Sequence, residues 1–327
     1  MRYLVTGASG LLGNNIVRRL LEIGEEVRVL HRAGSDERPF SGLDIDLRTG
    51  NVRDADSVQS AAQGVDVVIH SAGQVHIGWS QQDVHQAVNV DGARIVAAAA
   101  RAAGARLVHV SSVNALGLGR LENPATEDTA LPGAILCPYV VTKRAGEAAV
   151  QEEIQKGLSA VIVNPGFMLG PWDWKPSSGK MLLEVARFAP LAPTGAYSIA
   201  DARDVAAAAV QAARSNSASG RYILAGHNVT YMDAWKKFAN AAGKRGPRFR
   251  AGPFNRWVGA LAGDLWGRIT SREPNLNSAG MQMSCQHHCF SSAKAELELG
   301  YRIRPLDETI ADAWNWFVKN GYVKGRA

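Results

Sequence analysis

The chain has 327 residues, 46% of them apolar and 20% charged, enough for one large core or a main domain with a satellite. Its formal net charge of +6 is spread thinly apart from Lys244-Arg-Gly-Pro-Arg-Phe-Arg250, and no nucleic-acid-binding signature accompanies it, which excludes nucleic acid as the main partner. Three cysteines make no disulfide framework and suit a reducing compartment, no apolar run approaches a membrane span, and the first residues read as a strand rather than a targeting segment; a cytoplasmic protein without stable membrane insertion is expected.

Taken in order, residues 2–6 read as a short buried strand, followed by a turn carrying Gly7, Gly10 and Gly13, and then a helix over 14–21. Glycine lets the backbone turn sharply and lets a pyrophosphate approach the main chain. The helix N-terminus adds unpaired N–H groups and a positive dipole end. With Ser9, Leu11 and Leu12 between the glycines, this strand–turn–helix context is that of a dinucleotide site.

A second strand over 26–30 ends at His31-Arg32, and a brief one is predicted over 44–47 before a short capped helix from 53. Residues 65–69 form another apolar strand that stops at His70-Ser-Ala-Gly73. Residues 84–103 are alanine-rich and helical. A strand over 106–110 ends at Ser111-Ser112, a long helix runs over 138–156, and a strand over 160–163 precedes Asn164-Pro-Gly166. Strands and helices alternating at this spacing predict an α/β fold with a doubly wound parallel sheet, in which ligands bind at the C-terminal strand ends. Residues 167–193 look irregular, 201–214 helical and 221–224 a further strand. The dinucleotide domain is therefore placed at 1–166 plus about 201–226, with a smaller mixed lobe over about 167–200 and 227–327.

Tyr139-Val-Val-Thr-Lys143 is Y-x-x-x-K at a helix start, and its i, i+4 spacing puts phenol and ammonium on one face. A tyrosine is a poor acid or base near neutrality, with a reference pKa of about 10, and a nearby lysine stabilises its phenolate. Ser112, at a strand end upstream, offers a hydroxyl to a substrate carbonyl.

Together with Asn89-Val-Asp-Gly92, Val110 to Gly117 and Asn164-Pro-Gly166, these motifs resemble the extended group of the short-chain dehydrogenase/reductase superfamily. The nearest resemblance is to bacterial members similar to dihydroflavonol 4-reductase and to hopanoid-associated epimerase-like members. The resemblance implies that Tyr139 is the general acid/base. Lys143 would be its pKa-lowering partner and a nicotinamide-ribose ligand, Ser112 the carbonyl polariser and Asn89 a supporting helix residue. It also implies cofactor contacts at Asn51, Val52, Ser71, Ala72, Gly73, Pro165, Gly166, Phe167 and Met168, and a homodimer. Two departures stand out: Asn51 replaces the usual acidic residue near adenine, and Ser71-Ala72-Gly73 replaces the usual alanine pair.

The second strand ends in His31 and Arg32, with no carboxylate to repel a 2′-phosphate, so NADP(H) is favoured and NAD(H) remains possible. Before Asp201 there is no arginine to hold a sugar diphosphate, whereas Trp172 and Trp174, with Trp79, suggest an aromatic and apolar substrate pocket. His76, Asn114 and Lys180 are further pocket candidates. The expected activity is NADP-dependent reduction of a small apolar or aromatic ketone or aldehyde. An NAD-dependent nucleotide-sugar epimerase/dehydratase and a non-catalytic NADP-binding sensor are the alternatives.

Two other signals are set aside. Cys285-Gln-His-His-Cys289 reads as a strand rather than a metal site, because alternation separates its ligands; no metal is expected. Phe254, Trp257, Val258, Leu261 and Leu265 recur at helical spacing after the basic run and are expected to pack on their own domain, with a membrane-surface helix as the alternative.

Overall fold

The computed structural model describes residues 1–131, 133–270, 273–274 and 276–323. The first half alternates as the apolar spacing predicts. It runs β1 (Arg2–Thr6), α1 (Leu11–Glu22), β2 (Glu26–His31), β3 (Asp46–Thr49), α2 (Ala55–Ala62), β4 (Val67–His70) and α3 (Gln82–His85). A π-helical turn (Gln86–Asp91) then leads into α4 (Gly92–Ala102), β5 (Arg106–Val110), α5 (Pro138–Gln155) and β6 (Ala160–Pro165). The second half contains β7 (Phe167–Leu169), α6 (Ser178–Arg187), β8 (Leu191–Ala192), β9 (Ala196–Asp201), α7 (Ala202–Arg214) and β10 (Gly220–Leu224). It continues with β11 (His227–Thr230), α8 (Tyr231–Ala241), β12 (Phe249–Arg250), α9 (Pro253–Thr270), α10 (Ser278–Ser284), β13 (His287–His288), α11 (Ala293–Leu299) and α12 (Leu306–Lys319).

The main sheet has seven strands in the order β10-β6-β5-β4-β1-β2-β3, every neighbouring pair parallel. Side chains alternate across it. Tyr3 and Val5 of β1 join Ile16, Val17 and the alanines of α7 on one face, while Leu4 joins Val58, Val96 and Val150 on the other. Covering both faces is what lets parallel strands be apolar throughout, and β4 is buried at every position. Strand order reverses between β1 and β4, which opens a crevice at their C-terminal ends.

A second sheet is centred on β9, which pairs antiparallel with β11 and parallel with β7 and β13. Its core includes Leu169, Leu182, Tyr197, Phe238 and Phe317. The chain returns from this lobe to the main sheet through α7 and β10.

Five expectations shift. The third strand lies two residues later than predicted. The single helix over 84–103 is instead α3, a π turn and α4. Residues 167–193, read as irregular, contain α6, whose buried Leu182, Val185 and Ala186 follow an inward-facing Gly179 that weakens the helical signal. The apolar stripe of α9 does not pack on its own domain: Phe254, Trp257, Val258, Leu261 and Leu265 are exposed. Around Cys285 the strand is only His287–His288, because Cys285 caps α10 instead.

Candidate active site

The glycine turn is held open by geometry. Gly7 has φ +73°, and a Cβ there would lie 2.5 Å from the Ala72 nitrogen, so only glycine lets β1 turn beside the β4 end. Gly10 is the N-cap of α1 and supplies no side-chain hydrogen bond, leaving the first N–H groups of the helix for a ligand. Around a Cβ built on Gly10 the nearest atom is the Gly7 oxygen at 3.4 Å, so the approach to those amides is open. These features fit a dinucleotide pyrophosphate. Ser9, Leu11, Leu12 and Gly13 lie on this turn and the first turn of α1.

Pro138 starts α5 at a position whose missing N–H costs nothing, and Tyr139 and Lys143 follow one turn apart, both buried. Ser112 lies two residues beyond β5 and caps a short 3₁₀ turn, its Oγ accepting the Asn114 N–H at 3.2 Å. The Ser112 side chain also lies beside the Tyr139 phenol. Burial raises the Tyr139 phenol above its ordinary value, and this Ser112 contact opposes the rise. The Lys143 ammonium donates to the Val110 carbonyl at 3.1 Å. Burial lowers its pKa to about 8, with Glu147 opposing. Ser112, Tyr139 and Lys143 are thus brought together just beyond the end of β5.

Neighbouring residues hold this trio. Asn164 donates through Nδ2 to the Ser112 carbonyl at 2.9 Å and to Glu147 Oε1 at 2.6 Å, while Glu147 is ion-paired with Arg221. Asn89 sits in the π turn; its Oδ1 accepts the Gln74 N–H at 2.8 Å and its Nδ2 donates to Gln74 O and Thr142 Oγ1, both at 3.1 Å. Such bulges re-aim side chains at functional sites. Here it joins α5 to the segment after β4, where a Cβ at Gly73 would lie 3.1 Å from Lys143 Nζ. The His70 and His109 rings lie 5.4 Å apart, tilted, near Lys143, and burial lowers His70 to about 3 and His109 well below its ordinary value, so neither adds charge. Sequence reasoning missed Glu147, whose signal was a carboxylate one turn after Lys143, and quoted Asn164 as part of a motif without assigning it a supporting contact.

His31 is buried at the end of β2, 3.9 Å from the exposed Glu37 carboxylate, and Arg32 is exposed beside it. Asn51 accepts the Arg53 N–H, Val52 packs near Gly92, and Ser71 donates its N–H to the Thr6 carbonyl. Pro165, Gly166, Phe167 and Met168 run from β6 into β7, where Phe167 meets Tyr197 edge-on at 5.2 Å. Trp172 and Trp174 are packed with Trp316, and Arg18 of α1 lies 3.3 Å over the Trp172 ring; they are part of the lobe's aromatic core and are not joined to the Tyr139 cluster. Lys180 is on α6, paired with Glu184.

His76 and Trp79 are organised by a residue the sequence reading did not single out. Glu273 accepts from the N–H groups of Trp79 and Ser80, both at 2.9 Å, from Ser80 Oγ at 2.6 Å, and meets His76 Nε2 at 3.0 Å. Burial opposes ionisation, but these contacts outweigh it and bring the carboxyl down to about 2. Its folded pKa is depressed, so its stabilisation is complete above the unfolded value of 4.5 and is lost as pH falls toward 2. Glu273→Ala is expected to destabilise the fold by roughly 1.5–3 kcal/mol at pH 7 and to speed amide exchange at Trp79 and Ser80. Denaturant melts should show the difference from wild type shrinking below pH 4.5.

Among the described residues no cluster of His, Cys, Asp or Glu could hold a metal ion. The model of the NAD-dependent epimerase/dehydratase family matches residues 3–226. The chain is 32% identical over 329 residues to sterol demethylase protein B of Methylococcus capsulatus, covering 99% of this chain and 100% of that protein. It is 32% identical over 330 residues to a putative dihydroflavonol 4-reductase of Synechocystis sp., covering 98% and 96%. Among solved structures, the crystal structure of gox2253 matches with a TM-score of 0.85 and 32% identity, covering 98% of this chain and 99% of that one.

Proposed function

This chain belongs to the NAD-dependent epimerase/dehydratase family, and we propose that within it the protein is an NADP-dependent reductase of an apolar or aromatic ketone or aldehyde. The observation that carries the chemistry is the buried Ser112–Tyr139 pair with Lys143 one turn along α5. When bound, the nicotinamide dinucleotide supplies the hydride. Ser112 donates to the substrate carbonyl oxygen, and Tyr139 transfers its phenolic proton to that oxygen as negative charge develops there. The Lys143 ammonium offsets the phenolate left behind, and burial of the trio excludes water that would screen these interactions.

The N-terminal amides of α1 would hold the pyrophosphate, Asn51 and Val52 the adenine side, and Ser71, Ala72, Gly73 and Pro165 to Met168 the remainder. NADP is favoured because β2 ends in His31 and is followed by exposed Arg32, a guanidinium suited to a 2′-phosphate. The names of two relatives support the substrate class, since a sterol is apolar and a dihydroflavonol is aromatic. A homodimer through the helices flanking the sheet belongs to the same reading.

The test is consumption of NADPH and NADH with aromatic, aliphatic and sugar-derived carbonyls. Turnover of an apolar ketone or aldehyde with NADPH is expected. Tightly retained NAD with an epimerised nucleotide sugar, or NADP bound without turnover of any carbonyl, would overturn the reading. Arg32→Asp should weaken NADPH roughly 10–100-fold in a binding titration while leaving NADH nearly unchanged.

A further inference from the structure

We propose that the outer face of α9, together with the basic segment before it, docks on an anionic phospholipid surface. The helix is reversed relative to an ordinary surface helix, which turns its large apolar residues inward. Here the inward face is glycine. A Cβ at Gly259 would lie 3.4 Å from Met281 Cε, one at Gly267 would lie 3.3 Å from Glu273 Cα, and one at Gly263 would collide with the Leu276 carbonyl. The backbone therefore sits close against residues 273–281 and leaves no room there for large side chains. The bulk is on the opposite side: Phe254, Trp257, Leu261, Leu265 and Ile269 are 73%, 62%, 53%, 54% and 72% exposed. Five large apolar residues on one exposed helical face are a contact surface, not scattered exceptions.

Charge identifies the partner. Lys244, Arg245, Arg248 and Arg250 are all exposed, and the segment from 244 to 253 contains no carboxylate. β12 pairs with β8 and holds exposed Phe249 among these arginines, next to the start of α9. The acidic residue in α9, Asp264, is engaged by the Ser278 N–H at 3.0 Å. Aromatic and aliphatic side chains flanked by cations are what the boundary of an anionic bilayer accommodates, with the apolar face sunk between headgroups. A second copy of the chain would bring two such basic rims together. No described helix is long and apolar enough to cross a membrane, so α9 lies along the surface.

The docking face is one layer from the site. Asn277, at the foot of α10, donates to the Ile77 carbonyl at 2.7 Å, beside the Glu273 contacts, and Ile77, Ala279 and Met283 pack with Tyr139 and Val140. A bilayer held at α9 would thus lie beside the loop carrying His76 and Trp79. The supply of an apolar substrate from that bilayer rests on the reductase reading; the docking rests on the surface alone.

The experiment is co-sedimentation of the full chain with vesicles of phosphatidylglycerol and phosphatidylcholine or of phosphatidylcholine alone, in low and high salt, with light scattering in their absence. Binding to the anionic vesicles that weakens at least tenfold in Leu261→Asp/Leu265→Asp is expected. Arg248→Glu/Arg250→Glu should also reduce it roughly tenfold or more, since each basic residue near such a surface contributes about fivefold. Both pairs are at exposed positions, and unchanged circular dichroism and thermal midpoint would establish that the variants fold. No sedimentation with the anionic vesicles would overturn the proposal. So would binding unaffected by the aspartates, or light scattering showing a self-association of wild type that the aspartates abolish and that vesicles do not compete with.

Discussion

Tyr139→Phe should reduce carbonyl turnover roughly 10²–10⁴-fold while leaving NADPH affinity within about twofold of wild type. The substitution removes one oxygen from a buried side chain whose hydroxyl lies beside Ser112. The ring and its packing against Val140 and Met283 stay, so the loss is chemical rather than structural. Because burial holds the phenol above its ordinary value, it is fully protonated at neutral pH and is suited to donate. Stopped-flow single turnover with NADPH, compared with cofactor fluorescence titration, separates the two quantities. A variant retaining more than a tenth of the rate would remove Tyr139 as the acid. The wild-type rate of reduction should fall as pH rises through about 8, where Lys143 loses its charge, rather than at the higher pH where Tyr139 ionises.

Lys143→Met should be both less active and more stable. A fully buried ammonium is costly, and burial has drawn its pKa from 10.5 to about 8. The sign follows from proton uptake. Between pH 8 and 10.5 the unfolded chain binds the proton and the folded chain does not, so in wild type this group's penalty is complete below pH 8 and fades as pH rises toward 10.5. Methionine removes the penalty but leaves the Val110 carbonyl without its donor. The net gain expected at pH 7 is roughly 1–2 kcal/mol, shrinking toward pH 10.5. Activity should fall roughly 10²–10³-fold, because nothing then offsets the phenolate charge at Tyr139. Urea melts at pH 7 and pH 10 read the first effect and single-turnover kinetics the second. A variant less stable than wild type at pH 7 would mean that the ammonium is compensated by its surroundings and carries no such strain.

The parts of this site that are local in sequence were legible, and the parts that depend on long-range contact were not. Gly7 to Gly13 announces a turn because glycine spacing between a strand and a helix has few other uses, and Tyr139 and Lys143 share a face because one helical turn separates them. The π turn around Asn89 is invisible to periodicity, since it adds a residue without changing composition. Glu147 is legible as a neighbour of Lys143, but its partners Asn164 and Arg221 come from two other strands. Glu273 reaches loop 76–80 across almost 200 positions, a pairing no local pattern encodes. Aromatic residues are ambiguous for a different reason: a tryptophan lining a pocket and a tryptophan in a core have the same sequence signature, and Trp172 and Trp174 pack against Trp316 in the lobe. In α9 the period was readable but its orientation was not. The close approach of the backbone at Gly259, Gly263 and Gly267 shows that the small face points inward.

The most direct test of the central reading follows deuterium from NADPH labelled at the transferring position, with the apolar carbonyl compound that is turned over best. One deuterium is expected on the carbinol carbon of the product, stoichiometric with oxidised cofactor, with labelling slowed roughly 10²–10⁴-fold in Tyr139→Phe. A product that carries no deuterium, or label that stays on the cofactor while a sugar stereocentre inverts, would contradict it.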